Sequence, residues 1–260
     1  MTDDDARAAP TSVGTDRLPE PGAGFVWTAG EVPVIRPLAD GVVAAFTTRR
    51  GGVSRGAYRS LNLSTSVGDD HDAVRTNRRR AAEAVGREGD WCRVRQVHGA
   101  DVVRAEPGNR PDADAVWTDE PALTLAVNVA DCVPVLLVAP GRMAAVHAGW
   151  RGLVSGVVAR ASEVVEASAA WAGPAIGPCC FEVGGDVVEA FGRRFGAEVV
   201  ADERHVDLWR ATELAALRAG VADVRSARVC TSCHSDLFFS HRRDRGRTGR
   251  QALVAALEAR

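Results

Sequence analysis

Short apolar runs that predict β-strands are concentrated in the middle of the chain. Two of these runs are nearly continuous in apolar residues, as expected for strands that are covered on both faces. The predicted strands are 25–29, 42–49, 92–97, 101–105, 122–129, 133–139, 142–148 and 224–229. The stretch 51–70 is rich in glycine and serine and has no apolar period, which predicts a long loop of the kind that is often functional.

Apolar residues also recur at helical spacing in five other segments. The second of these segments carries a stripe of valine and alanine, which predicts a helix with one buried face. Asp70 and Thr248 are in position to cap the first and the last helix. The predicted helices are 71–86, 153–171, 184–195, 207–219 and 248–259. Strands in the middle and helices toward the end predict an α/β (α+β) fold with mixed sheets covered by helices.

Composition separates residues 1–24 from the rest of the chain. This stretch is acidic and rich in proline and glycine, and it lacks the apolar segment of a signal peptide. We therefore predict a disordered tail, followed by a single domain over 25–260.

No apolar run reaches the roughly 18 residues of a membrane span, and a formal net charge of -2 provides no general basic field for nucleic acid. We expect a cytoplasmic protein with reduced cysteines and no membrane, nucleic-acid or obligate protein partner.

Three residues with metal-binding side chains lie at predicted strand ends or turns. His98 follows a strand and precedes a glycine, Cys132 lies between two apolar strands, and His147 ends a strand before a glycine turn. Together they offer two nitrogens and one sulfur to Zn²⁺, and three protein ligands leave the fourth position open, as in catalytic sites. Asp131 is a candidate to orient one of the two histidines. The alternative for each residue is a purely structural role in packing or hydrogen bonding.

Arginine supplies every basic residue, because the chain contains no lysine. Arg49 precedes a glycine-rich loop, Arg151 follows the glycine turn after His147, and Arg243 belongs to a cluster just before the last predicted helix. Arginine forks, the N–H groups of glycine-rich loops and helix N-termini all bind oxyanions. The alternative for the C-terminal cluster is a solvated basic face.

The segment CTSCH, from Cys230 to His234, has the pattern that attaches c-type haem. Half of a zinc knuckle and a redox pair are the other hypotheses. A cytoplasmic protein is not expected to carry attached haem, so we expect a structural role for Cys230 and Cys233, with metal binding as the alternative.

Six motifs in order resemble the YfiH-like family, long known as multicopper polyphenol oxidase or laccase-domain proteins. They are TTRRGGVSRGAYRSLNLSTSVGD, QVHGADV, DADAVWTDEPALTLAVNVADCVPVLL, AAVHAGWRGLVSGVV, AIGPCCFEVG and CTSCHSDLFFSHRRDRGRTGR. The resemblance implies a four-layer αββα sandwich, a fold shared with certain deamidating toxins. It also implies metal ligation by His98, Cys132 and His147.

The same resemblance implies a zinc-dependent enzyme that acts on small molecules. Its expected reactions are phosphorolysis of adenosine, inosine, guanosine and methylthioadenosine, together with deamination of adenosine. Arg49, Arg151 and Arg243 then become candidates to bind phosphate, Asn62 to bind a ribose hydroxyl, and Cys179 to line the pocket.

Other functions stay open from the sequence. The first is polyphenol oxidation with copper in place of zinc, although six histidines without a His-x-His pair do not provide a trinuclear copper cluster. The second is a cysteine hydrolase with Cys132 as nucleophile and His147 as base. The third is a role in editing cell-wall precursors.

Overall fold

The computed structural model describes residues 18–87 and 90–259. Residues 1–17 of the predicted tail lie outside the described residues, so the tail stays a prediction, as does the single domain over 25–260. The end of the predicted tail contacts the fold, because the N–H of Gly22 donates to the carbonyl of Ala227 at 2.9 Å. Trp27 Nε1 likewise donates to the carbonyl of Pro19 at 2.7 Å.

The described strands are β1 (Phe25–Thr28), β2 (Val34–Pro37), β3 (Val42–Thr47), β4 (Trp91–Cys92), β5 (Val102–Arg104), β6 (Ala115–Thr118), β7 (Thr124–Val129), β8 (Val133–Ala139), β9 (Arg142–Ala148), β10 (Ala169–Ala172), β11 (Val200–Asp202), β12 (His205–Val206), β13 (Asp223–Ser226) and β14 (Gln251–Leu257). The described helices are α1 (His71–Val85), α2 (Trp150–Ser155), α3 (Val157–Val165), α4 (Gly185–Phe195) and α5 (Leu208–Arg218).

Twelve of these strands form two mixed sheets of six strands each. One sheet has the order β1-β2-β3-β14-β7-β4, and the other has the order β13-β10-β8-β9-β6-β5. Most neighbours are antiparallel, whereas β4–β7, β5–β6 and β10–β13 are parallel. The expectation of mixed sheets is therefore confirmed.

Alternate residues of the central strands face different layers. In β8, Val135 and Leu137 pack with the helices that follow β9, whereas Leu136 and Val138 pack against the other sheet. In β14, Val254 packs with α1, and its neighbours pack between the sheets. Helices therefore cover the outer face of each sheet, which confirms the four-layer αββα sandwich.

The predicted helix 153–171 is wrong in its extent. Helix α2 ends at Ser155 and is capped by Gly156, which has a φ of 89°, a conformation that glycine adopts without the cost of a Cβ. Helix α3 then continues the valine stripe to Val165, and β10 occupies the end of the predicted segment.

The predicted helix 248–259 is also wrong, because Gln251–Leu257 is strand β14. This strand lies between β3 and β7, and all of its residues are buried. A short apolar run that is covered on both faces has no alternation, so its periodicity does not distinguish a strand from a helix. Thr248 therefore caps no helix; its hydroxyl donates to Asp244 Oδ2 at 2.8 Å.

Helix α1 confirms its predicted start, since the Asp70 carboxylate accepts the N–H of Ala73 at 2.8 Å. Strands β2, β6, β11 and β12 were not predicted; each has four residues or fewer. Within the described part of the chain, none of the helices combines the length and the apolar character needed to cross a membrane.

Candidate metal centre

The structure brings His98, Cys132 and His147 together. Cys132 immediately precedes β8, and His147 lies in β9 opposite Pro134 of β8. His98 comes from the loop between β4 and β5. One ligand atom of each residue lies within 4.8 Å of the others, and the two imidazole rings meet edge to face with centroids 4.9 Å apart. Residues distant in sequence therefore form a three-ligand group.

Asp114, just before β6, orients both histidines. Its fully buried carboxylate accepts the N–H groups of Val97, His98 and Gly99 at 3.2, 3.0 and 2.6 Å. The same carboxylate lies 2.7 Å from His147 Nδ1. Because Nδ1 is engaged in this way, Nε2 is the nitrogen of His147 that is available to a metal. The backbone bonds also hold His98 at a φ of 61°, a conformation that non-glycine residues seldom adopt.

Gly149 leaves the space in front of the three ligands open. A Cβ at this position would lie 3.1 Å from both Cys132 Sγ and His98 Cδ2. Any larger residue would therefore press on two of the three candidate ligands.

Burial and charge oppose each other at this site. Burial raises the pKa of the Cys132 thiol. The charge of His147 and hydrogen bonds from both histidines lower it by more, so that the pKa is about 6. For His147, burial lowers the pKa, whereas Cys132 and Asp114 raise it to about 9. Burial likewise raises the pKa of Asp114, but its bonds to His147, Gly99 and His98 bring it below the usual value. Both shifts favour a thiolate at Cys132 beside an imidazolium at His147.

Asp131 does not orient either histidine, which corrects the sequence-based expectation. Its Oδ1 accepts the Thr231 hydroxyl and its Oδ2 accepts the N–H of Arg242, both at 2.7 Å. Asp131 has a φ of 89°, which directs the chain sharply into Cys132. Its role is to join the start of β8 to two C-terminal loops.

A cavity of about 1110 Å³ opens in front of the three ligands. Six arginines line it: Arg151 in α2, Arg242 in the loop after Ser240, Arg250 just before β14, and also Arg95, Arg110 and Arg204. The Arg151 guanidinium stacks over Trp150 at 4.4 Å from the ring centroid. The cavity thus has the three candidate metal ligands on one side and arginine side chains on others.

Two of the three arginines expected to bind phosphate lie elsewhere. Arg49 donates to the carbonyls of Arg59 and Ser235 at 2.7–2.9 Å and stacks over Phe239 at 4.6 Å. Arg243 donates to the carbonyls of Thr231, Ser232 and Phe238 and pairs with Asp244. Their guanidinium groups are occupied by the backbone of neighbouring loops, and neither residue lines the cavity.

Asn62 is also displaced from its expected role. It is fully buried, and its amide donates to Ser64 O and Asp69 Oδ2. Its Oδ1 accepts the N–H groups of Ser64 and Arg250. With all of its polar groups engaged, Asn62 positions the backbone of Arg250 and is not free to bind ribose.

Cys179 does not line the cavity either. It lies beside Cys180, Cys230 and Cys233 in a second group of potential metal ligands. All six cysteines belong to the described residues, and none forms a disulfide.

Asp114, Arg242 and Arg250 are functional candidates that the sequence did not single out. Asp114 stands directly before an apolar strand, within a motif that resembles the family, and this position was its only local signal. Arg242 and Arg250 were part of a run of arginines, from which only the fold selects those that reach the cavity.

The chain matches known proteins over most of its length. A family model described as multi-copper polyphenol oxidoreductase laccase covers residues 43–258. YlmD of Geobacillus stearothermophilus, named a purine nucleoside phosphorylase, is 39% identical over 245 residues, with 82% of this chain and 89% of YlmD covered. Escherichia coli YfiH, which has the same functional name, is 39% identical over 229 residues, with 83% and 94% covered.

Solved structures agree with these sequence matches. The crystal structure of YlmD from Geobacillus stearothermophilus superposes with a TM-score of 0.83 at 36% identity, and the match covers 91% of this chain and 99% of that chain. The two sheets and their helical layers are therefore shared with a protein of known structure.

Proposed function

The chain belongs to the YfiH-like family, and from that premise we propose that it is a zinc-dependent purine nucleoside phosphorylase that also deaminates adenosine. The observation that carries the proposal is that His98, Cys132 and His147 share one cavity with Arg151, Arg242 and Arg250. A phosphorolytic enzyme needs an electrophilic group near the leaving purine and cations for phosphate. At about 1110 Å³, the cavity exceeds the usual range for one small ligand, which suits a nucleoside together with phosphate.

The donor set fits zinc. Two imidazoles and one thiolate match a catalytic zinc site with an open fourth position, and the lowered pKa of Cys132 makes the thiolate available near neutral pH. A zinc ion held there would supply a Lewis acid beside the purine. Asp114 would keep His147 in the tautomer that presents Nε2.

The arginines in the cavity are suited to bind phosphate, which is the nucleophile in phosphorolysis. Arginine is always protonated and has no acceptor, so it binds an anion and does not activate water. We propose that Arg151, Arg242 and Arg250 hold inorganic phosphate so that one of its oxygens attacks C1′ of the ribose. The bond from C1′ to the purine nitrogen breaks, and its electron pair leaves with the base. Positioning and charge stabilisation supply the rate acceleration in such a transfer.

A nucleoside panel tests the proposal. The purified chain is incubated with adenosine, inosine, guanosine and methylthioadenosine, with and without phosphate, and products are separated by liquid chromatography and mass spectrometry. We expect free base together with ribose 1-phosphate, or 5-methylthioribose 1-phosphate from methylthioadenosine, only when phosphate is present, and inosine from adenosine in either case. Free ribose at equal rates with and without phosphate would contradict phosphorolysis.

Polyphenol oxidation is less well supported by the residues. In the described part of the chain, the two potential metal groups contain either two histidines and a cysteine or four cysteines, and neither resembles the histidine-rich trinuclear cluster of a multicopper oxidase. Stoichiometric copper with rapid phenol turnover by the purified protein would overturn this preference.

A cysteine hydrolase is the second candidate, favoured by one specific observation. His147 lies between the Cys132 thiol and the Asp114 carboxylate and is hydrogen-bonded to both. This arrangement matches the nucleophile, base and orienting carboxylate of cysteine-dependent acyl transfer. His98 is the discriminating residue, because a metal site needs it and a triad does not. Hydrolysis of acyl substrates that survives chelation and the substitution His98→Ala would favour the hydrolase.

A further inference from the structure

Four of the six cysteines lie together, separate from Cys132. Cys179 and Cys180 belong to a turn that begins at Gly177, and Cys230 and Cys233 belong to a turn shortly after β13. The four Sγ atoms all lie within 4.8 Å of one another. Cys230 is buried, Cys180 is half-buried, and Cys179 and Cys233 are exposed. We call these four residues the cysteine tetrad.

The sulfur positions match a single tetrahedral ion. Cys233 Sγ lies 3.6 Å from Cys179 Sγ and 3.5 Å from Cys180 Sγ. Four sulfurs that each lie about 2.3 Å from a zinc ion at the corners of a tetrahedron are about 3.8 Å apart. The geometry points to a second zinc ion, bound by the cysteine tetrad and distinct from the candidate centre at His98, Cys132 and His147.

Backbone hydrogen bonds hold the two turns in register. Ala175 donates its N–H to the carbonyl of Val229 at 3.3 Å and accepts the N–H of Thr231 at 2.9 Å. The N–H of Gly177 donates to Cys230 Sγ at 3.2 Å, an arrangement that stabilises a thiolate. A Cβ at Gly177 would lie 3.3 Å from Cys179 Sγ, so glycine leaves room for that sulfur. The sulfurs are thus brought together by bonds that do not depend on a metal.

Positive charge lies beside the tetrad. Four thiolates and Zn²⁺ carry a net charge of −2, which a nearby cation would stabilise. Arg243 Nη1 donates to the carbonyls of Thr231 and Ser232, the two residues between Cys230 and Cys233. Arg243, which does not line the main cavity and is paired with Asp244, therefore places its guanidinium next to the tetrad turn.

The second ion would be structural, because the protein fills all four coordination positions. It would join two segments that shape the main cavity. Phe181 and Glu182 follow Cys180 directly and line that cavity. Thr231, within the other turn, donates its hydroxyl to Asp131, the residue before Cys132. Zinc at the tetrad would therefore hold a wall of the cavity and the start of β8 in place.

Metal counting on the full chain tests the inference independently of the proposed function. The protein is expressed with zinc in the medium, without a polyhistidine tag, and purified under reductant, and metals are measured by elemental analysis. We expect two zinc ions per wild-type chain, one in Cys132→Ser, one in Cys233→Ser and none in the double variant. Cys92→Ala, which removes a cysteine outside both groups, serves as the control and keeps both ions. Substitution with Co²⁺ adds a spectroscopic test, since a four-sulfur site gives intense thiolate charge-transfer bands that survive in Cys132→Ser, whereas Cys233→Ser should keep only the weaker absorption of the single Cys132 thiolate.

Thermal unfolding provides a readout that does not need an intact catalytic site. In the Cys132→Ser background, a chelator should lower the Tm by several degrees, and it should have no effect once Cys233→Ser is added.

A single wild-type zinc ion that disappears with Cys132→Ser would overturn the inference, as would iron in place of zinc at the tetrad. A disulfide from Cys233 to Cys179 or Cys180 in protein kept under reductant would also overturn it, by showing a redox pair. If Cys132→Ser loses no zinc while Cys233→Ser loses all of it, the tetrad site stands and the proposed catalytic zinc fails.

Discussion

The Asp114 carboxylate lies 2.7 Å from Nδ1 of His147 and is fully buried. The same carboxylate accepts the backbone N–H of His98, so one side chain holds the His147 imidazole and the His98 backbone of the candidate metal centre. Asp114 is therefore a positioning residue, since it touches the ligands and not the reacting atoms.

Replacing Asp114 with Asn is expected to weaken zinc binding by about 10- to 100-fold, in line with the loss of other carboxylate partners of metal-bound histidines. The physical reason is the loss of the charge that orients His147 and makes it more basic. Affinity is measured by competition with a chromophoric chelator. Asp119→Asn, at the other end of β6 and paired with Arg104 on the surface, is the matched control. Unchanged affinity in Asp114→Asn would show that the carboxylate only supports the fold.

Replacing Arg151 with Ala should raise the KM for phosphate more than the KM for nucleoside. In the described part of the chain no side-chain hydrogen bond ties Arg151 to another residue; it stacks on Trp150 and lines the cavity, so the fold should tolerate the change. Loss of a charged hydrogen bond of roughly 1.5–3 kcal/mol corresponds to about a ten- to hundredfold effect. Arg194→Ala, on the exposed side of α4, should leave both constants unchanged. Equal increases in both constants would place Arg151 outside the phosphate site.

Replacing Arg49 with Ala should reduce stability and leave phosphate binding unchanged. Its guanidinium satisfies the carbonyls of Arg59 and Ser235, and the loss of these bonds should lower the free energy of unfolding by about 1–3 kcal/mol. Urea unfolding measures this change. Arg55→Ala, an exposed residue of the same loop, is the control. A large rise in the KM for phosphate with normal stability would instead restore Arg49 to the phosphate site.

Zinc affinity should rise with pH through the neutral range. With a Cys132 pKa of about 6 and a His147 pKa of about 9, this pair binds one proton between those values, and the ion must displace it. The pair therefore contributes about a tenfold gain in affinity per pH unit in that window. The gain should flatten above pH about 9 and steepen below about 6, where Cys132 also binds a proton. Calorimetry in buffers of different ionisation enthalpy measures the proton released, and affinity that does not vary across this window would contradict the ion pair.

The sequence alone determined those features that depend on neighbouring residues. The Asp70 cap precedes a helix that starts where predicted, and the apolar runs of β8 and β9 are strands with the predicted bounds. Caps and apolar runs act over a few residues, so their effect on structure can be predicted from residues that are close in sequence. The three candidate ligands were found because histidine and cysteine are few and lie at strand ends, and because the motifs around them resemble a family.

Only the tertiary structure decided which groups meet. Residues 251–257 form a strand because β3 and β7 lie on either side of it, and nothing within that apolar run specifies those partners. Arg49 and Arg243 donate to backbone carbonyls away from the cavity. Arg242 and Arg250 also donate to backbone carbonyls, but they line the cavity together with Arg151. Every arginine carries the same charge and the same fork of donors, so its role depends on the acceptors that the fold places within about 3 Å. Asp114 likewise became the partner of His147 because the pairing of β6 with β9 brings them together.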